Sequence, residues 1–192
     1  KDVAILLKMI PFPIFFIANK MIFDKDEFNF LVRKHLKRHL KNFGLMIDFI
    51  MRPLKYYLVN VISTNINKIG TIPVDIYRSK RLTIVKCQDY LKKGRTIILL
   101  QGRGRVMKKD PHPYVSLFRK GPSLISYNLY KKEGMHIPVT PVAIFGTHKP
   151  FLIPGEIKVS IGESMYITDY LAKGFKETID KFREEMENGV KD

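Results

Sequence analysis

The sequence predicts an α/β domain with a mixed, largely parallel central sheet flanked by helices. Three observations carry that expectation. Short runs rich in Ile, Val and Phe recur as candidate strands, segments with apolar residues at three- and four-residue steps lie between them, and glycine, proline or a capping carboxylate marks the joins. Alternation of this kind places crossover helices between parallel strands. A chain of 192 residues, 45% hydrophobic and 27% charged, suits one well-packed domain, so residues 1–192 are expected to form a single unit.

The first candidate strand is Pro13 to Ala18, a short apolar run punctuated by prolines at its start. From Asp24 the period changes. Asp24 or Asp26 can cap a helix in which Phe28, Leu31, Val32, Leu36, Leu40, Phe43 and Ile47 form one face, while Arg33, Lys34, Lys37, Arg38 and Lys41 fill the other. This basic amphipathic pattern makes residues 24–60 a helical segment able to face a membrane. His35 and His39 lie one turn apart, but no HExxH pattern or third ligand accompanies them, so they are read as flanking the apolar stripe.

Pro53 interrupts the next helical stretch, and "INKIG" leads into "TIPVDIYRS", a short strand ending at Arg78. A helix from about Lys80 to Lys93 closes at Gly94. "RTIILLQ" then reads as a central strand by its continuous Ile and Leu content, opening onto "GRGR". "KGPSLISYNLYKKEG" follows as a helix, "IPVTPVAIFG" and "GEIKVSIGES" as strands. Residues 168–188 contain a closing helix with Leu171, Phe175, Ile179, Phe182 and Met186 on one face.

One cysteine, Cys87, excludes an internal disulfide framework and a Cys-based metal site, and its helical position leaves a half-buried thiol in a reducing compartment. The longest apolar tract, Val3 to Ala18, carries Lys8, Pro11 and Pro13 and falls short of the ~20 apolar residues a bilayer span needs. The net charge is +16 and unevenly spread. Lys and Arg exceed Asp and Glu by 6 over residues 1–60 and by 12 over 61–134, and fall short by 2 over 135–192. The middle third is therefore where a phosphate ligand, an anionic lipid surface or a nucleic acid is expected. No DNA- or RNA-binding module signature accompanies the basic run, which makes nucleic acid the weakest of the three.

Two stretches carry candidate chemistry. "LLQGRGRVMKK" follows a strand end, where α/β folds place ligands, and its glycines let backbone N–H groups and Arg103 or Arg105 approach a phosphate. It has neither P-loop nor GxGxxG spacing. "PIFFIANKMIFDKDEF" delivers Asn19-Lys20 and a carboxylate cluster from a strand end.

From about residue 11 onward the order of elements resembles the glycerolipid acyltransferase family, with the PlsC-like lysophosphatidic acid acyltransferases as the nearest type. "LFRKGPSLISYNLYKKEGMHIPVTPVAIFG" is similar to the family's basic residue, Gly, helix, Gly-x-x-Pro-Val-x-Pro-Val segment, and its basic residue here is Lys120. "YLKKGRTIILL" looks like the strand before the FPEGTR motif, and "GTIPVDIYRS" like the motif ending in a substrate-binding Arg, here Arg78. The resemblance implies an acyltransferase-like α/β fold on the cytoplasmic side of a membrane, peripheral to it. It implies acyl-CoA or acyl carrier protein as donor, a lysophospholipid or similar hydroxyl acceptor, and no cofactor.

The departures fall in the two central motifs. In NHxxxxD a histidine takes the acceptor proton and an aspartate orients it. Here Asn19 matches Asn, Lys20 replaces His, and Lys25 stands at the Asp position with Asp24 and Asp26 beside it. In FPEGTR, Gln101 replaces Glu, Gly102 matches, and Arg103-Gly104 reverses Thr-Arg. The resemblance thus puts Lys20 and Asp24 at the catalytic positions, and Asn19, Arg78, Gln101, Gly102, Arg103, Arg105 and Lys120 around substrate phosphate. Neighbouring carboxylates favour the charged form of a lysine, so Lys20 is better suited to holding an anion than to taking a proton. Two readings of the family pattern stay open: an acyl transfer enzyme, or a lipid- and membrane-binding protein of the same fold that no longer turns over.

Overall fold

A computed structural model of the chain describes residues 2–40, 49, 52–74, 80–101, 112, 115–147 and 155–191. Two compact units are present, Pro13–Ile98 and the combination of Lys1–Phe12 with Leu99–Asp192.

The Pro13–Ile98 unit is built on β1 (Ile14–Asn19), β2 (Thr71–Val74) and β3 (Thr96–Ile98), all parallel, in the order β2-β1-β3. β1 carries the run expected from sequence. Ile14 and Phe16 are buried on one face, and Phe15 on the other lies edge-on to Tyr90, with ring centroids 5.0 Å apart. The Arg95 guanidinium sits 5.0 Å from the Phe15 ring. β2, which has one neighbour among the described residues, carries Pro73, whose missing N–H suits an edge position. Ile72 and Val74 still point into the core, and the Lys86 ammonium donates to the Pro73 carbonyl at 3.0 Å.

The central strand is thus β1, not "RTIILLQ". β3 pairs only over Thr96–Ile98, has one neighbour among the described residues, and is followed by an exposed Leu100. Continuous apolar content reports cover on the faces of a strand, and it does not report lateral neighbours.

The helices of this unit follow their sequence signals closely. α2 (Lys25–Leu40) starts where the carboxylates stand; the expected continuation through Phe43 and Ile47, and the side chains of His35 and His39, lie outside the described residues. In α3 (Arg52–Asn65), Pro53 is the second residue and so occupies the first turn, where no N–H is required of it. α4 (Lys80–Lys92) ends as expected at Gly94, with φ +67°. Cys87 on α4 is fully buried instead of half-buried, and burial pushes its thiol up to about 11.

In the other unit, α1 (Asp2–Met9) buries Leu6. α5 (Gly121–Glu133) and α6 (Phe175–Lys191) pack together around Ile167, Phe182 and Met186. Ile179 joins the buried face of α6, whereas Leu171 precedes the helix and is exposed, as is Phe175 in its first turn. β4 (Val142–Phe145) and β5 (Lys158–Ile161) form a separate antiparallel pair, extended by a bridge between Val139 and Met165. The α/β class is as expected, but among the described residues the strands form a parallel sheet of three and an antiparallel pair, not one mixed sheet. No helix of the described residues is long and apolar enough to cross a membrane.

Gly70 decides how closely the chain can enter β2. Its φ is +71°, its carbonyl accepts the Phe16 N–H at 2.8 Å, and a Cβ there would lie 2.5 Å from the Ile14 carbonyl oxygen. A Cβ on Gly94 would meet nothing within 4 Å. We expect Gly70→Ala to cost about 2 kcal/mol or more and Gly94→Ala about 1 kcal/mol, measured by urea unfolding.

Candidate functional site

β1 ends in a turn whose polar side chains serve the backbone. Asn19, with extended dihedrals, begins a short 3-10 helix over Lys20–Ile22, and its Oδ1 accepts the Met21 N–H at 3.2 Å. Lys20 is exposed, and its carbonyl accepts the Phe23 N–H at 3.0 Å. One residue later Asp24 caps α2. Its Oδ1 accepts the N–H groups of Asp26 and Glu27, both at 2.9 Å, and its carbonyl takes that of Phe28 at 2.9 Å. This satisfies donors that a helix start leaves open. Of the two carboxylates the sequence offered as caps, Asp24 is the one used.

The parallel sheet brings one further relation. β1, β2 and β3 all end at the same end of the sheet, at Asn19, Val74 and Ile98. The three stretches that sequence singles out follow those ends directly: Asn19-Lys20 after β1, the segment to Arg78 after β2, and the segment from Gln101 after β3. Arg78, Gly102, Arg103 and Arg105 themselves lie outside the described residues.

In the second unit, Gln101 Oε1 accepts the Arg119 N–H at 3.1 Å. The segment that follows is pinned to α6 at two points. Phe118 N–H donates to Glu187 Oε2 at 3.0 Å, and the Lys120 ammonium pairs with Asp180. Glu187 is buried at 4% exposure and held by Lys191 at 3.0 Å and Arg183 at 3.9 Å. The hydrogen bond and charge of Lys120, aided by Arg183 and Lys176, hold the Asp180 carboxyl below its ordinary value despite some desolvation.

No family model, curated protein or solved structure matches the chain.

The geometry therefore carries the chemical reading. Asn19, Lys20 and Asp24 lie within one short stretch, with Asn19 and Asp24 bonded to backbone N–H groups and Lys20 exposed. Lys120 is engaged by the Asp180 carboxylate. Asp180 and Glu187 went unremarked in the sequence, although their spacing to Arg183 and Lys191 at three and four residues was a legible sign of ion pairing along a helix. Among the described residues no group of three His, Cys, Asp or Glu is placed to hold a metal ion.

Two outcomes follow from these contacts. Asp24→Ala should destabilise by about 1 kcal/mol in urea unfolding, while Asp24→Asn, which keeps the acceptor, stays within a few tenths. In Lys120→Met, the Asp180 carboxyl resonance should titrate at higher pH than in the wild type. Because Asp180 is held low in the folded state, its contribution to stability is present above the ordinary carboxylate range and lost as pH falls through the folded value. Lys120→Met should accordingly show the shallower acid dependence.

Proposed function

We propose that this chain is an acyltransferase-like protein that binds phospholipid at an anionic membrane surface, on the cytoplasmic side, without the proton chemistry of the NHxxxxD motif. The observation that carries the reading is the Asn19–Asp24 turn, in which the position of the base holds an exposed lysine. Three supports stand behind it. The motifs of the resemblance follow, in sequence, the ends of three parallel strands that run in the same direction. The middle third of the chain is strongly basic. Asn19 and Asp24 are each engaged by backbone N–H groups on either side of the exposed Lys20, which offers a cation rather than an acceptor.

Acyl transfer needs a group to remove the hydroxyl proton of the acceptor as it attacks the thioester carbon. An ammonium already carrying its proton cannot fill that role, yet it can pair with a phosphate or carboxylate. The expected ligand is a lysophospholipid or related monoacyl phosphate, held through its headgroup.

Purified protein incubated with mixed acyl-CoAs, acyl carrier protein thioesters and lysophospholipids should yield no new phospholipid by mass spectrometry. Lysophosphatidic acid should bind in calorimetry, several-fold weaker to Lys20→Ala. The double variant Lys20→His/Lys25→Asp rebuilds the family pattern and is the place to look for regained turnover. Product from the wild type that disappears in Lys20→Ala would return the enzyme reading. Absence of lysophospholipid binding would remove the lipid reading.

A further inference from the structure

α3 is turned inside out. An amphipathic helix of a globular domain buries its apolar stripe, and α3 has such a stripe: Leu54, Tyr57, Leu58, Val61 and Ile62 recur at i, i+3, i+4, i+7 and i+8. All five are exposed, Leu58 at 47% and Tyr57 at 66%. The face that packs onto the domain is the one bearing Lys55, Val59 and Ser63, with Lys55 only 8% exposed. A helix that shelters a lysine and a serine while presenting its leucines outward has its apolar side prepared for an environment other than water.

We infer that α3 lies flat in the interface of an anionic lipid bilayer, with Leu54, Leu58, Val61 and Ile62 entering the acyl boundary. The inference rests on the membrane part of the proposed function and names the surface that makes the contact. Charge complementarity selects this occupant. Between Asp48 and Asp75 the chain has no acidic residue. Exposed Arg52 and Lys68 stand before and after the apolar stripe, and α2, which packs against α3, exposes Lys25, Arg33 and Lys34 beside Asp26 and Glu27 of its first turn. Anionic headgroups attract such cations within a Debye length of the surface. Tyr56 and Tyr57 supply side chains with an apolar ring and a polar tip, the type that collects at headgroup level. The length of α3, about 21 Å for 14 residues, is too short to cross a hydrocarbon core of ~30 Å and suits a position in the plane.

Sedimentation with phosphatidylcholine vesicles containing phosphatidylserine, at low salt, tests the surface. Leu58→Glu/Val61→Glu should weaken vesicle binding about tenfold or more, since it puts two charges where apolar side chains must enter. Leu82→Glu/Val85→Glu, the same change on the exposed side of α4, should bind as the wild type does. Both pairs are at exposed positions, and circular dichroism establishes that the variants fold. The chain contains no tryptophan, so Leu58→Trp adds a single indole. Its emission should shift to the blue on vesicles and be quenched by lipids brominated in the acyl chain.

Equal vesicle binding by wild type and Leu58→Glu/Val61→Glu, with no shift of the indole, would overturn the placement of α3 and leave the membrane reading intact. No binding of the wild type to any vesicle would overturn both. A lipid-free dimer in sedimentation velocity that Leu58→Glu/Val61→Glu dissociates, with vesicle binding unchanged, would make the stripe a contact between copies and so reject the bilayer.

Discussion

The parallel pairing of β1 on both of its sides is the constraint on which the Pro13–Ile98 unit depends. A parallel neighbour cannot be reached by a tight turn, so each pairing obliges the chain to travel back along the sheet before the next strand begins. α2 and α3 occupy one return and α4 the other. The same geometry makes the strands end together, which is why stretches separated by more than fifty residues of sequence start from one end of the sheet. Gly70 is part of the constraint, since only a residue without Cβ brings the chain this close to Ile14 while its carbonyl accepts the Phe16 N–H of β1.

Local signals survived folding well and lateral ones did not. The β1 run, the carboxylate at the start of α2, the glycine after α4 and the apolar face of α6 through Ile179, Phe182 and Met186 were all legible, because each depends on a few adjacent residues meeting a local backbone need. The place of "RTIILLQ" at the edge was not legible, since strand content reports burial without reporting which strand lies alongside. Nor was the separation of β4 and β5 into their own antiparallel pair. For α3, periodicity gives the existence of an apolar stripe, but only packing decides whether that stripe faces the core. Here the buried positions are Lys55, Val59 and Ser63, a set no hydropathy pattern would select.

The candidate site divides in the same way. Asn19, Lys20 and Asp24 are close in sequence and were found where strand and helix signals meet. The partners of the Leu117–Lys120 segment, Asp180 and Glu187, lie some sixty to seventy residues away, and sequence alone says only that α6 carries carboxylates. Glu187, buried against that segment, fixes the backbone at Phe118 with a carboxylate acceptor, a stronger hold than a neutral carbonyl gives.

Capping does not by itself disqualify Asp24 from chemistry, because the two N–H groups share a single oxygen, Oδ1. A carboxylate can cap with one oxygen and orient a neighbour with the other. What it would orient decides the outcome. An imidazole so placed gains basicity and a fixed tautomer, and becomes a proton acceptor. An ammonium has no lone pair to offer. A charged amine suits a phosphate for the same reason that it does not accept a proton. Between Asn19 and Asp24 the side-chain oxygens of both residues serve backbone N–H groups and Lys20 is exposed, so on the proposed reading this turn would hold a ligand rather than move a proton.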